Sequence, residues 1–133
     1  MSKVKEIKKI LDAKCKYEPK EFMVKSMGEL LGLDYPGMVP VWVVQAPGKE
    51  YGAYGILHRD VQDEVYKKTG GDYWIIPSSI HEILCVGKDI AEDRDGLMCM
   101  VKCINHDYVD PMDQLADVVW SFSYDSYGNG VIE

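Results

Sequence analysis

The chain has 133 residues, 47% hydrophobic and 28% charged, with a net charge of −7. That length suits one domain, which can bury roughly two-thirds of the surface its unfolded chain exposes without help from a disulfide or a metal. The acidic balance argues against nonspecific nucleic-acid binding, which needs clustered Lys and Arg, and no apolar run approaches the ~20 residues of a membrane span.

Residues 3–14 set Val4, Ile7, Ile10 and Leu11 on one side and Lys3, Lys5, Lys8 and Lys9 on the other, which predicts an amphipathic helix. The segment is basic but has no unbroken apolar core, so it does not read as a secretory signal. A cytoplasmic location is expected, with Cys15, Cys85, Cys99 and Cys103 as reduced thiols. Pro19 ends the first segment. A second helix is predicted over 20–31, with Met23, Met27, Leu30 and Leu31 inward and a left-handed Gly32 closing it.

The β-branched run 39–46 reads as a strand, with Pro40 at its start. Residues 47–50 read as a turn and 51–57 as the returning strand, its two glycines marking a bulge or a close backbone approach. Asp60 is the expected N-cap of a helix over 61–68, stopped by Gly70 and Gly71. Residues 72–77 are apolar on both faces and predict a central strand, with 82–87 similar. A helix is expected from Asp93 to His106, a short one from Asp110-Pro111, and a last strand over 118–124. The expectation is a single α+β domain over 1–133: an N-terminal helical segment 1–33, a core 39–125 and a frayed tail 126–133. Its sheet has about five strands, antiparallel or mixed, with helices covering one main face.

Three constellations suggest chemistry. Residues 77–82 place two hydroxyls, an imidazole and a carboxylate together. The bland account is a capping box, Ser79 accepting a backbone N–H and Glu82 reaching back. The rival is a hydrolase using Ser78 or Ser79 with His81. Cys99, Cys103 and His106 stand at i, i+4 and i+7 of one helix, opposite Leu97, Val101 and Ile104. They offer a Cys–His pair, but three ligands fall short of a tetrahedral zinc set, so no metal and no cofactor is expected. Asp89, Glu92, Asp93, Asp95, Asp107, Asp110 and Asp113 could form one acidic patch for a basic protein partner, although helix dipoles explain much of their placement. His58 reads as a surface residue beside a helix start.

YGAYGIL (51–57), GGDYWIIPSSIHEILCV (70–86), LMCMVKCINHDYVDP (97–111) and ADVVWSFSYD (116–125) are together similar to a bacterial family catalogued as domain of unknown function 5688. The resemblance lies after Val39 and implies a free-standing counterpart of the C-terminal portion of a family member. It implies no chemistry, and it marks Pro77, Ser78, Ser79, His81, Glu82, Asn105 and Pro111 as motif residues with structural roles. The expected function is a non-enzymatic protein–protein interaction module. A concrete form is an acidic inhibitor from a phage or mobile element, covering a basic surface of a host defence enzyme.

Overall fold

A computed structural model describes residues 3–32, 40–77, 79–90, 93–107 and 109–133, without the side chains of Leu31, Met100, Cys103, Ile104 and Asp107. Its helices are α1 (Lys3–Lys14), α2 (Met27–Leu31), α3 (Arg59–Thr69) and α4 (Arg94–Asp107), with a 3-10 helix at Gly52–Leu57. Its strands are β1 (Met23–Ser26), β2 (Trp42–Gln45), β3 (Tyr73–Ile76), β4 (Glu82–Gly87), β5 (Trp120–Tyr124) and β6 (Gly130–Ile132). The strands form one sheet in the order β1-β2-β4-β3-β5-β6, every neighbouring pair antiparallel. This is the expected α+β class.

β3 is central because both of its faces are apolar. Tyr73 and Ile75 enter the larger core, with Ile83 and Cys85 of β4 and Trp120 and Phe122 of β5. Trp74 and Ile76 enter a smaller one, with Leu84, Val86 and Val119. The alternation follows from the two-residue side-chain period of a strand. Ile7 and Leu11 of α1, Ile56 of the 3-10 helix and Val61 and Val65 of α3 cover the larger core. Leu97, Met98 and Val101 of α4 cover the smaller. Helices therefore lie on both faces, which corrects the single covered face expected.

The segment predicted as a returning strand is the 3-10 helix. Its glycines mark a close approach, but of a helix: a β-carbon on Gly52 would stand 2.5 Å from the Gln45 Cα and 2.6 Å from the His81 carbonyl oxygen. β2 instead pairs with β1 and β4. The predicted helix over 20–31 splits, because Met23–Ser26 adds a strand to β2 and only Met27–Leu31 coils. Gly32, at φ 66°, is the left-handed cap as expected, whereas Leu30 is exposed. Ile10 also faces outward, at the margin of the α1 stripe set by Ile7 and Leu11. Asp60 lies in the first turn of α3, and His58 holds the cap position without a side-chain bond.

Asp110-Pro111 opens a turn, not a helix: the Asp110 Oδ1 accepts the Met112 N–H at 2.9 Å and the Asp110 carbonyl the Asp113 N–H at 2.8 Å. The expected frayed tail carries β6. Asp125 closes its hairpin by accepting the Tyr127 and Asn129 N–H groups, both at 2.9 Å. Among the described residues no helix is long and apolar enough to cross a membrane.

Candidate functional site

Pro77, Ser79, His81 and Asn105, four of the residues marked by the family motif, meet around one loop. The Pro77 carbonyl accepts the Ala116 N–H at 3.0 Å, and the Ile80 N–H donates to the Asp113 carbonyl at 2.7 Å. From the other side Asn105, buried near the end of α4, donates its amide to the Ala116 carbonyl at 2.9 Å and to Asp117 at 2.5 Å. Gln114 returns a bond to the Asn105 carbonyl at 2.7 Å. Motifs some 25 residues apart thus pin residues 113–117 between the sheet and α4. Pro111 is exposed in the turn and Glu82 is exposed at the start of β4. Ser78 lies outside the described residues.

His81 is the hub of this junction. Its Nδ1 accepts the Tyr51 N–H at 3.2 Å, and its Nε2 lies 3.3 Å from the Asp113 Oδ1. A donor at Nδ1 requires a lone pair there, so a neutral ring carries its proton on Nε2, the nitrogen that lies near the carboxylate. The ring also stacks on Tyr51, centroids 5.5 Å apart. The His81 and Ile80 carbonyls accept the N–H groups of Gly52 and Ala53, at 2.9 and 3.3 Å. The Ser79 hydroxyl accepts the His81 backbone N–H at 3.0 Å. That bond spans two residues in a bend, which corrects the capping-box turn expected there. A general base needs a free lone pair within reach of its nucleophile. Here the unprotonated nitrogen is already engaged by the backbone.

Beside this latch lies an open cleft of about 280 Å³, with Tyr17, Pro19, Lys20 and Glu21 on one wall and Ala46, Pro47, Gly48 and Glu50 on the other. His81 is not in its lining, but Tyr51 connects the two: the Tyr17 ring meets the Tyr51 ring edge-on at 4.9 Å. Sequence reasoning missed the cleft because its walls lie about 30 residues apart and neither carries a motif.

A second polar cluster, also unread in the sequence, ties α1 to the start of α3. Glu18 bonds Lys8 at 3.2 Å and the His58 Nε2 at 2.9 Å, and Asp12 accepts the Tyr54 hydroxyl at 2.7 Å. His58 packs on Phe22 at 4.8 Å. Burial, with Asp12 adding to it, pushes the Tyr54 hydroxyl and the Cys15 thiol up, the latter to about 11. Both stay protonated at neutral pH, so the cluster anchors α1 without supplying a nucleophile.

Cys99 is exposed and Val101 fully buried, in the phase expected for α4. His106 is exposed, and the Cys103 side chain lies outside those described. Among the described residues no three His, Cys, Asp or Glu side chains converge on one point. The proposed acidic patch is divided. Asp89, Asp93 and Asp95 stand at the start of α4, while Asp110 and Asp113 follow its end. The helix between them is about 20 Å long at 1.5 Å per residue. Glu92 and the Asp107 side chain lie outside the described residues. Residues 89–133 nonetheless hold ten Asp or Glu against Arg94 and Lys102, a net −8.

Residues 1–125 match the model of a family described as a family of unknown function, DUF5688. The chain belongs to that family. In this DUF5688 protein the match begins at residue 1, which corrects the expected confinement to a C-terminal portion after Val39. α1 and β1 fall inside it and supply Ile7, Leu11 and Val24 to the larger core. No curated protein and no solved structure matches the chain.

Proposed function

We propose that this DUF5688 protein is a non-enzymatic protein–protein interaction module that engages a partner with a basic surface. One observation carries the reading: the acidic stretch 89–133 exposes apolar side chains among its carboxylates, Met112 at 82% and Tyr127 at 88%, with Ile90 and Val118 also outward. Met and aromatic side chains are enriched in interface cores, and surrounding charge steers an oppositely charged partner toward them. The occupied lone pair of His81 speaks against the hydrolase alternative. A concrete form of the module is a cytoplasmic inhibitor encoded by a phage or mobile element that covers a nucleic-acid-binding surface of a host defence enzyme; charge and size support that form.

Immobilised protein should retain a basic protein from host lysate and release it as ionic strength rises past about 0.1 M, where the screening length falls to about 10 Å. Retention only of neutral or acidic proteins, unaffected by salt, would overturn the reading. Turnover of a small substrate, lost in His81→Ala with the fold intact, would replace it with a hydrolase.

A further inference from the structure

The cleft beside the latch has a volume, shape and charge that point to one ligand chemistry. At about 280 Å³ it falls just under the ~300–1,000 Å³ of small-molecule pockets, so it suits one or two side chains and not a cofactor. Its apolar lining is the ring of Tyr17, the rings of Pro19 and Pro47, and Ala46. Among the lining residues Glu21 and Glu50 stand against Lys20, a net −1, with Lys49 between Gly48 and Glu50 on the same wall. The Tyr17 hydroxyl donates to Glu50 at 3.3 Å and holds that carboxylate at the rim. An arginine or lysine stem lies well on aromatic and proline rings while its head pairs with carboxylates.

The wall is also shaped in advance. Lys49 and Tyr51 both have left-handed backbone angles, φ 62° and 60°, which side-chain-bearing residues adopt at a cost. The Lys49 N–H bonds the Ala46 carbonyl at 2.9 Å, and the Tyr51 N–H bonds His81 at 3.2 Å. Tyr51 in turn holds the Tyr17 ring edge-on. His81 is thus a positioning residue for a wall it does not line.

We propose that this cleft is a docking notch for a cationic side chain, an arginine or a lysine, carried by a segment of a protein partner. The inference rests on the interaction reading and gives it a site other than the carboxylates of residues 89–133. Titrating the isotope-labelled full chain with N-acetyl-arginine-methylamide should shift the backbone amide signals of Tyr17, Glu21, Gly48 and Glu50. The uncharged citrulline analogue should leave them in place. An oligoarginine peptide at about 0.15 M salt should bind the Glu21→Gln/Glu50→Gln variant about tenfold more weakly, because two charge-assisted bonds are lost. Asp89→Asn/Asp93→Asn/Asp95→Asn should lose no more than about threefold, as screened surface charges do. Equal shifts with citrulline, shifts confined to residues 89–117, or a larger loss in the Asp variant would each overturn the notch. A basic partner captured equally well by the wild type and the Gln pair would remove the notch while leaving the interaction reading standing.

Discussion

On one side of the sheet, α1, the 3-10 helix and α3 close over Tyr73, Ile75, Ile83, Cys85, Trp120 and Phe122. On the other, among the described residues, α4 lays Leu97, Met98 and Val101 over Trp74, Ile76, Val86 and Val119, with Val41 beside them. The first side is deep and aromatic: Tyr73 stacks on Phe122 at 4.8 Å, and Tyr66 and Tyr124 meet that pair edge-on. On the second, cations flank the core, with the Lys88 ammonium 4.6 Å and the Arg94 guanidinium 5.6 Å from the Trp74 ring. Most of the described buried side chains belong to the side that carries the N-terminal helix. The acidic stretch 89–133 includes α4, the helix of the second side.

Thiol reactivity gives the widest contrast. Cys99 stands on the outer side of α4, whereas Cys85 is fully buried and burial pushes its thiol up. Native-state labelling of Cys85 should be slower than that of Cys99 by a factor of about 10³ or more, because it waits for an opening costing several kcal/mol. Comparable rates would abolish the distinction between the faces. Cys15, half-buried and raised to about 11, should fall between them.

Truncation should sort the same way in urea unfolding. Phe122→Ala removes a fully buried ring from the aromatic stack and should cost about 3–5 kcal/mol. Val101→Ala, on the second side, should cost about 2 kcal/mol. The reverse order would mean that α4 and not α1 carries the fold. Ser79→Ala deletes one bond of the loop joining the sheet to residues 113–116 and should cost about 1 kcal/mol. A loss matching that of Phe122→Ala would make the junction part of the main core.

The smallest effect is at the β5–β6 hairpin. Two backbone N–H groups, from Asn129 and Tyr127, hold the Asp125 carboxyl below its ordinary 3.8. A depressed carboxyl contributes stability above its unfolded value and loses it as pH falls through the folded one. Protection of amides 127–132, relative to their intrinsic exchange rates, should therefore fall only below about pH 4 and should do so before that of β3. Unchanged protection of these amides below about pH 4 would show that Asp125 does not fasten the hairpin.

Much of the fold was legible where a run of residues declares both faces at once. Tyr73-Trp74-Ile75-Ile76 and Ile83-Leu84-Cys85-Val86 could only be strands packed on two sides, and Gly32 and Gly70 are the caps their positions suggest. Segments whose form depends on distant partners were misread. Tyr51–Leu57 has strand-like composition, yet Gly52 and Gly55 pack against Gln45, Val44 and Phe22, which a strand there would not permit. Met23–Ser26 has no strong local preference and becomes a strand because β2 offers it an edge. The site was legible only as residue types. That His81 answers to Asp113 and Tyr51, some 30 residues to either side, is a property of the sheet order.

That order has a further consequence for how the chain folds. Among the described strands, only β3–β4 and β5–β6 pair across short connections; β2–β4 and β3–β5 join strands about 40 residues apart. Long loops must close before those ladders repay their entropy, so folding should take milliseconds to seconds, as in other topologies rich in nonlocal pairs. The β3–β4 hairpin is the cheapest nucleus, since one short loop brings two doubly apolar strands together. Ile75→Val should therefore slow refolding, and Val24→Ala at the sheet margin should mainly speed unfolding.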